Sequence, residues 1–424
     1  MYANRMRKKY VFGYLDDLQF ELIRVIRGHS PCFNFAPLRE SSAFSAFAIN
    51  SMTNGSELNR TPLYDWHVAH GARMVDFAGW SMPVQYGSIV EEHHATRRAL
   101  GLFDISHMGR LIVDGPEAGK FLGSLLTRRI DDMNPGQVRY SLVCNESGGI
   151  LDDVLVYQMQ LPEGGLSGYG LVVNASNRSK IVAWLNRQRG SFDANIDDKT
   201  SEYAMIAAQG PRAIEALDSL CDCELTSLRY YHGGMTRLAS FRAFVSRTGY
   251  TGEDGCEIIC DAADAHVIWT RLIERAEAVG GGAVGLAARD TLRLEAGMPL
   301  YGHELSEEIN PVQAGLDFAV NLRGREFVGR DAITRAQKDE QLPVRVGLQL
   351  AGKRPAREGA VILQGDRPVG AVTSGTFSPT FERPIAMGYV KPTAAAPGTP
   401  LAVDIRGQHH AAQVSPLPFY HRGK

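Results

Sequence analysis

The chain has 424 residues, which as a prior is enough for two or three domains. Its 44% hydrophobic and 22% charged residues are ordinary for a globular protein, and a net charge of −2 supplies no basic field for nucleic acid. It contains no apolar run long enough to span a bilayer. Six cysteines in a chain of this length do not make a disulfide scaffold, and Cys221-x-Cys223 lacks a second pair at zinc spacing, so they read as reduced thiols in a cytosol-like compartment.

Residues 1–51 stand apart. A basic cluster at Arg5–Lys9 precedes a helical pattern from Leu15 to Ile26 and a Ser/Ala/Phe-rich stretch. Asp16, Asp17, Glu21 and Glu40 argue against an organelle transit peptide, which is poor in acids. The expectation is an extension outside the fold, from a mis-set start with Met52 as the true one; a transit peptide is the alternative. From Thr61 the chain alternates helix and strand. Ile89 to Gly101 reads as a helix, and Arg110 to Val113 as a strand closed by an Asp114-Gly115 turn. Tyr140–Val143 and Val154–Gln158 read as strands around a Gly148-Gly149 turn. Leu171–Asn174 is a strand followed by a helix over Arg178–Gln188. Ala204–Ala208 is a strand, with Pro211 expected at the first position of the next helix. After Arg330 there is a boundary, then a polar helix and connector over Asp331–Gln341. Short strands between Gly and Pro turns follow (Arg345–Leu350, Ala360–Leu363, Val369–Ser374, Met387–Val390, Leu401–Ile405), the pattern of a small β-barrel. There is no internal repeat.

Two stretches carry chemistry. Arg247-Thr-Gly-Tyr-Thr-Gly-Glu-Asp-Gly-Cys-Glu257 reads as a glycine-rich loop between the strands Phe241–Ser246 and Glu257–Cys260. Glu257, on a rigid strand beside that loop, is either a solvated acid or a grip for a flat ring bearing adjacent N–H donors. In Gly285–Glu304, the run Ala287–Ala296 is a short helix stopped by Gly297 and Pro299. Arg289 and Arg293 share one of its faces, where like charges repel unless an acid lies between them. That acid is either internal, with Asp290 and Glu295 near, or belongs to a ligand. Asp152 and Asp153 follow a glycine pair; on a strand they point to opposite faces, so only one can face a given pocket.

Other motifs fail. Gly280-x-Gly282-x-x-Gly285 follows a helix (Trp269–Ala278) and not a strand, so it is no dinucleotide fingerprint. Gly115–Phe121 is one residue short of a P-loop and lacks its Ser/Thr. His303–Glu307 has Glu where a zincin needs its second His, and the neighbours His93 and His94 point apart on a helix. No metal site is expected.

Both informative stretches resemble the aminomethyltransferase family of the glycine cleavage system, the T-proteins. So do Thr61–Asp65, Gly71–Trp80, Phe103–Gly109, Gly148–Asp153, Gln209–Pro211 and Thr373–Pro379, collinear from Thr61 to the C-terminus. The resemblance implies an α+β, three-lobed folate-binding fold, with residues 61–330 forming two interleaved α+β lobes and 343–420 a C-terminal β-barrel. It implies transfer of the methylene carbon of an aminomethyl group from the lipoyl arm of the H-protein to tetrahydrofolate, a co-substrate. The products are 5,10-methylenetetrahydrofolate, ammonia and the dihydrolipoyl carrier. The decarboxylase and dihydrolipoyl dehydrogenase of the same system are implied as further partners. The place implied is the cytoplasm, or the mitochondrial matrix in a eukaryote.

By the same resemblance Asp152 is the catalytic carboxylate, which stabilises positive charge on the transferring carbon or holds the N5 proton. Tyr140 and Asn174 line the folate cavity. Glu257 grips the pterin and Arg289 the anionic tail, with the pterin deep and the glutamate outward; Arg247 and Tyr420 or Arg422 are second choices for the tail. Asp104–His107 is read as structural, its polar groups pinning a strand to the neighbouring layer. A folate-dependent demethylase shares the pterin grip but is disfavoured by the intact Gly148–Asp153 and Arg289–Glu304 blocks. A folate-binding iron-sulfur assembly factor would carry a cysteine that Glu295–Glu304 lacks.

Overall fold

A computed structural model describes residues 57–160 and 167–423. The 1–51 extension lies outside the described residues. Two antiparallel sheets face one another. The first, in spatial order Gly233–Leu238, Phe241–Ser246, Gly255–Asp261, Tyr203–Gln209, Gly101–Asp104, ends on the short parallel strand Gly282–Ala283. The second runs Val138–Cys144, Ile150–Gln160, Ser167–Val173, Gly109–Asp114, Asn195–Asp198. Their strands alternate in register with two different cores. Met205 and Ala207 face inward with Phe103, meeting Tyr140, Leu155 and Tyr157 from the opposite sheet. Ile206 and Ile258 face outward onto the helix Ala265–Ala278 through Ile268, Trp269 and Leu272. On the far side, Val154 and Val156 pack on Ile181, Trp184 and Leu185 of the helix Arg178–Arg189. The order is therefore helix, sheet, shared interior, sheet, helix.

The third unit is a closed six-stranded barrel, in order Val344–Leu350, Arg383–Val390, Arg367–Ser378, Val361–Gln364, Pro400–Ile405, Gln408–Ser415. It has its own apolar core around Leu348, Ile362, Val390 and Val403. The helix Leu286–Glu295 ties the barrel to the paired sheets. Ala288 and Leu292 sit in the inter-sheet core, and Leu294 packs on Ile385 and Met387 of the barrel.

Local differences from expectation have identifiable causes. The helix that starts at Ile89 ends at Arg98, because Gly101–Asp104 is a strand buried on both faces and its unbroken apolar run merges with the helix in the sequence. Pro211 is not at a helix start: it lies in the turn before Ala213–Asp218, whose N-cap is Arg212. Cys144, Cys221, Cys223, Cys256 and Cys260 are all free thiols. Among the described residues no helix is long and apolar enough to cross a membrane, and no group of His, Cys, Asp or Glu is placed to hold a metal.

Candidate active site between the two sheets

Glu257 stands in the middle of the first sheet, paired with Ala207 on one side and Ser246 on the other. Its neighbours Cys256 and Ile258 belong to the outer core, so alternation turns Glu257 toward the interior. It is 1% exposed. Oε2 accepts a hydrogen bond from Thr248 Oγ1 at 2.7 Å, while Oε1 is buried with no partner. Burial pushes its carboxyl above the usual range, against the opposing pull of Thr248 and of the Arg289 charge. Arg289, 7% exposed, projects from the helix Leu286–Glu295. Its guanidinium lies 4.8 Å from the Tyr250 ring centroid and 5.8 Å from that of Phe103. Nη1 has no hydrogen-bond partner, and burial lowers the pKa to about 10 although Glu257 favours the charge. Among the described residues the two form no direct ion pair. One buried acceptor and one buried donor are thus left open in the same interior. Native proteins rarely leave such groups unpaired without a use for them.

The glycine-rich loop is shaped by its packing against protein. A Cβ on Gly249 would lie 1.8 Å from Gln209 Oε1, and Gly252 holds φ +81°. Gln209 Nε2 donates to the Thr248 and Cys256 carbonyls at 3.0 and 3.3 Å, clamping both ends of the loop. Arg247 belongs to the same scaffold. Its Nη2 donates to both oxygens of Asp254, at 2.8 and 2.6 Å, and its Nη1 to the Leu228 carbonyl at 2.8 Å. Arg247, a second choice for the ligand tail, has its charge engaged within the loop in this structure.

The paired acids differ in their surroundings. Asp152 is fully buried and saturated. It accepts from the Asn174 backbone N–H at 3.0 Å, from Asn177 Nδ2 at 2.6 Å and from Asn174 Nδ2. Burial, with the charge of Asp153 next to it, pushes the Asp152 carboxyl well up. Alternation explains its orientation: Asp152 pairs with Val143 and shares parity with Val154 and Val156, all of the outer core. A bulge lies just before it. Asp152 pairs with Val143 but Ile150 with Cys144, so Leu151 is the extra residue, and Leu151 and Val154 both pack in the outer core. Asp153 shares parity with Leu155 and Tyr157, which face the interior. It accepts from Tyr140 Oη at 3.3 Å and from Asn174 Nδ2 at 3.0 Å. The carboxylate on the Glu257 side is Asp153, and Asp152 clips the strand to the turn at Asn174–Asn177. Tyr140 and Asn174 lie on the interior wall. Tyr140 stacks on Phe318 with centroids 5.8 Å apart, and Asn174 Oδ1 is buried without a partner.

At the C-terminus the two candidates have different surroundings. The Tyr420 ring lies under the Arg97 guanidinium at 3.8 Å, and its N–H donates to the Glu295 carbonyl at 2.8 Å, so this tyrosine is packed into the framework. Arg422 is partly exposed, 3.7 Å from Asp254 and 5.1 Å from the Tyr230 ring centroid. The reading of Asp104 as a pin agrees with its contacts: Thr61 Oγ1 and His67 Nε2 reach it at 2.7 and 2.9 Å. Burial raises its carboxyl, but His67, Ser106 and Thr61 outweigh that and bring it to about 2. Tyr250, and Asp153 in place of Asp152, face this candidate site and were not the residues the sequence singled out. Tyr250 lies inside the glycine-rich loop, so its position was the available signal.

A groove of about 680 Å³ opens beside Tyr157, Phe244 and Ile259 and includes neither Glu257 nor Arg289. It is an apolar approach to the same inter-sheet layer.

The class this architecture defines is a two-sheet α+β enzyme with a buried anion–cation site and an appended barrel. Comparison makes it particular. The GCVT N-terminal domain matches residues 63–324, and the glycine cleavage T-protein C-terminal barrel domain matches 344–421. The aminomethyltransferase of Streptomyces coelicolor is 46% identical over 376 residues, covering 88% of this chain and 100% of that protein. That of Geobacillus thermodenitrificans is 44% identical over 371 residues, covering 87% and 100%. The crystal structure of the glycine cleavage system aminomethyltransferase T from Bartonella henselae superposes with a TM-score of 0.79 at 36% identity, covering 86% of this chain and 98% of that one. The chain belongs to the glycine cleavage T-protein family and is an enzyme of the aminomethyltransferase class.

Proposed function

We infer that the chain moves a methylene carbon from the aminomethyl group on the lipoyl arm of an H-protein to N5 and N10 of tetrahydrofolate. The carbon–sulfur bond breaks to leave the arm as a thiol, and ammonia departs. The observation that carries this reading is the open pair, Glu257 Oε1 and Arg289 Nη1, buried in one interior and unsatisfied. A pterin offers a ring N–H and an amino group side by side, which suits the free edge of the Glu257 carboxylate. The planar benzoyl-glutamate tail suits Arg289, held over Tyr250, with Arg422 further out at the rim. Tyr140 and Asn174 line the wall between them.

The carboxylate acting on the transferring carbon is Asp153, not Asp152. Asp153 faces the interior, and a negative charge there stabilises positive charge developing on carbon. It also lies where it can hold a proton of the attacking amine. The barrel and the loop scaffold hold these groups in place, and most of the acceleration comes from bringing the two substrates together. The reaction is read as cytoplasmic, beside the decarboxylase and the dihydrolipoyl dehydrogenase that load and reoxidise the carrier; the bacterial sources of the relatives support that reading.

The test is single-turnover transfer from an aminomethyl-loaded H-protein to tetrahydrofolate. Asp153→Asn lowers the rate by ~100-fold or more while folate still binds, the pattern of a lost transition-state contact. Asp152→Asn costs stability first and leaves the rate of the folded enzyme within about tenfold. A ~100-fold loss confined to Asp152→Asn would return the role to Asp152.

A further inference from the structure

One acceptor in the interior is used neither by the pterin grip nor by the tail. The Asn174 side chain is fully buried, and its Oδ1 has no partner. The backbone sets its direction. Val172 packs in the inter-sheet core and Val173 in the outer one. Asn174 is still extended, at φ −63° and ψ 138°, so its side chain returns to the interior.

The amide is also fixed in rotation. Its Nδ2 donates to Asp152 Oδ1, to Asp153 Oδ1 at 3.0 Å and to the Asp153 carbonyl at 3.3 Å. Only the NH2 end can serve these acceptors, so the carbonyl end is turned away from both acids. The clip is reinforced behind it: Asp152 accepts from the Asn174 backbone N–H at 3.0 Å and from Asn177 Nδ2 at 2.6 Å. The amide thus joins the two acids with one end and leaves a buried acceptor at the other. Such an acceptor is costly when unmatched, and a small N–H donor entering the interior completes it.

We propose that Asn174 Oδ1, with the Asp153 carboxylate beside it, is a subsite for the amine nitrogen of the transferred group and for the ammonia it becomes. The proposal rests on the reading above that Asp153 faces the transferring carbon. The amine is bonded to that carbon, so a group that reaches Asp153 brings its nitrogen to the same amide. An amine has N–H donors and almost no bulk, which suits a buried acceptor. Once the carbon is attached to N5, the bond from carbon to the protonated amine breaks and its electron pair leaves with ammonia. The N10 lone pair then closes on the carbon, and the N10 proton passes to Asp153. Asn174 accepts an N–H from the amine before this break and from ammonia after it. A neutral oxygen does so without the ion pair by which a further carboxylate would retain the product. The competing donor is the N10–H of the folate.

The experiment runs the reaction backwards, from reduced H-protein, 5,10-methylenetetrahydrofolate and ammonium chloride, on the full chain and on Asn174→Ala and Asn177→Ala. Asn177→Ala loosens the same clip on Asp152 without touching the free oxygen. Asn174→Ala should raise the KM for ammonium by about tenfold or more, the effect of one lost hydrogen bond to a charged group, and leave that for methylenetetrahydrofolate within about threefold. Asn177→Ala should leave both KM values within about threefold. An unchanged ammonium KM in Asn174→Ala overturns the subsite. So does an equal rise in Asn177→Ala, the mark of a purely structural role, and so does a rise confined to methylenetetrahydrofolate, which gives the oxygen to N10. The unmodified chain decides the matter should Asn174→Ala not fold. With methylammonium in place of ammonium its kcat/KM should fall about tenfold or more, since a buried subsite built for ammonia has no room for a methyl group; equal values overturn the proposal. An unmodified chain that forms no aminomethyl H-protein at any ammonium concentration would sink the functional reading itself, a result distinct from all of these.

Discussion

Arg289 and Arg293 lie one turn apart on the same helix, both buried, and their surroundings are opposite. Arg293 donates to Asp290 at 2.7 Å, to Glu304 at 3.0 Å, to the Met298 carbonyl at 3.2 Å and to Ser374 Oγ at 2.9 Å. Arg97 nearby is as fully used. Its donors reach Glu295, Glu253 and the Thr251 and Leu292 carbonyls at 2.7–3.2 Å. Glu295 in turn accepts from Thr380 N and Oγ1, at 3.1 and 2.8 Å, and from Ser378. Arg289 has aromatic faces around it and an open N–H. A buried charge whose every atom is matched by protein holds the fold together. One left partly unmatched is costly unless something else completes it. The contrast separates framework from site within a single ten-residue helix.

The framework half of the contrast should break most severely. Glu295→Gln leaves Arg97 a buried cation short of its main counter-charge across helix, loop and barrel. The expected loss is ~3–5 kcal/mol of stability, read as a fall in thermal midpoint, with folate affinity of the folded fraction kept. An unchanged midpoint would mean that the hub contributes nothing to holding the units together.

Acid should expose the same half next. Burial raises the Glu295 carboxyl, but His93, Arg97 and Ser378 outweigh it and bring it to about 2. Glu304 reaches about 2 in the same way, through Arg293 and His303. Both values lie below the ordinary 4.5. The stabilisation is therefore complete above about pH 4.5 and is lost as pH falls toward about 2. Glu257 goes the other way, its pKa raised by burial. Folate affinity should therefore decline as the solution is acidified, at pH values where the hub is still intact. Circular dichroism and folate titration over the same pH series check both; coincident loss of fold and affinity would contradict the separation.

The smallest effect belongs to Arg247. Arg247→Met removes a half-buried brace of the loop and should cost ~1 kcal/mol or a little more in stability, with a change in folate affinity under about threefold. A loss of affinity larger than that, at unchanged stability, would restore Arg247 as a ligand contact.

Much of this was legible in the sequence because hydrophobic alternation is a local property. The strands on both sides of Glu257 and of Gly148-Gly149, and the helix carrying Arg289, all fall where apolar spacing puts them. The strand Gln408–Ser415 was not legible. Its Gln-His-His-Ala-Ala run carries little apolar signal, and pairing with Pro400–Ile405 and Val344–Leu350 decides it. Which of Asp152 and Asp153 faces the interior was also out of reach. Alternation puts the two on opposite faces, and only the packing of Leu155 and Tyr157 against the other sheet shows which face is the interior. The sequence placed Arg289 and Arg293 side by side without distinguishing them. Glu304 and Ser374, the partners that settle Arg293, are 11 and 81 residues away.

The most direct test of the contrast is a thermal denaturation series on Glu257→Gln with and without tetrahydrofolate. The substitution keeps the shape but turns a free acceptor into a donor facing the pterin amine. The account predicts an apo midpoint equal to or slightly above that of the unmodified chain, since a buried charge has been removed. It predicts that folate-induced stabilisation almost vanishes, because ~2–3 kcal/mol of charge-assisted binding is gone. A collapsed apo midpoint together with an undiminished folate-induced shift would contradict it, and would place Glu257 in the framework beside Glu295.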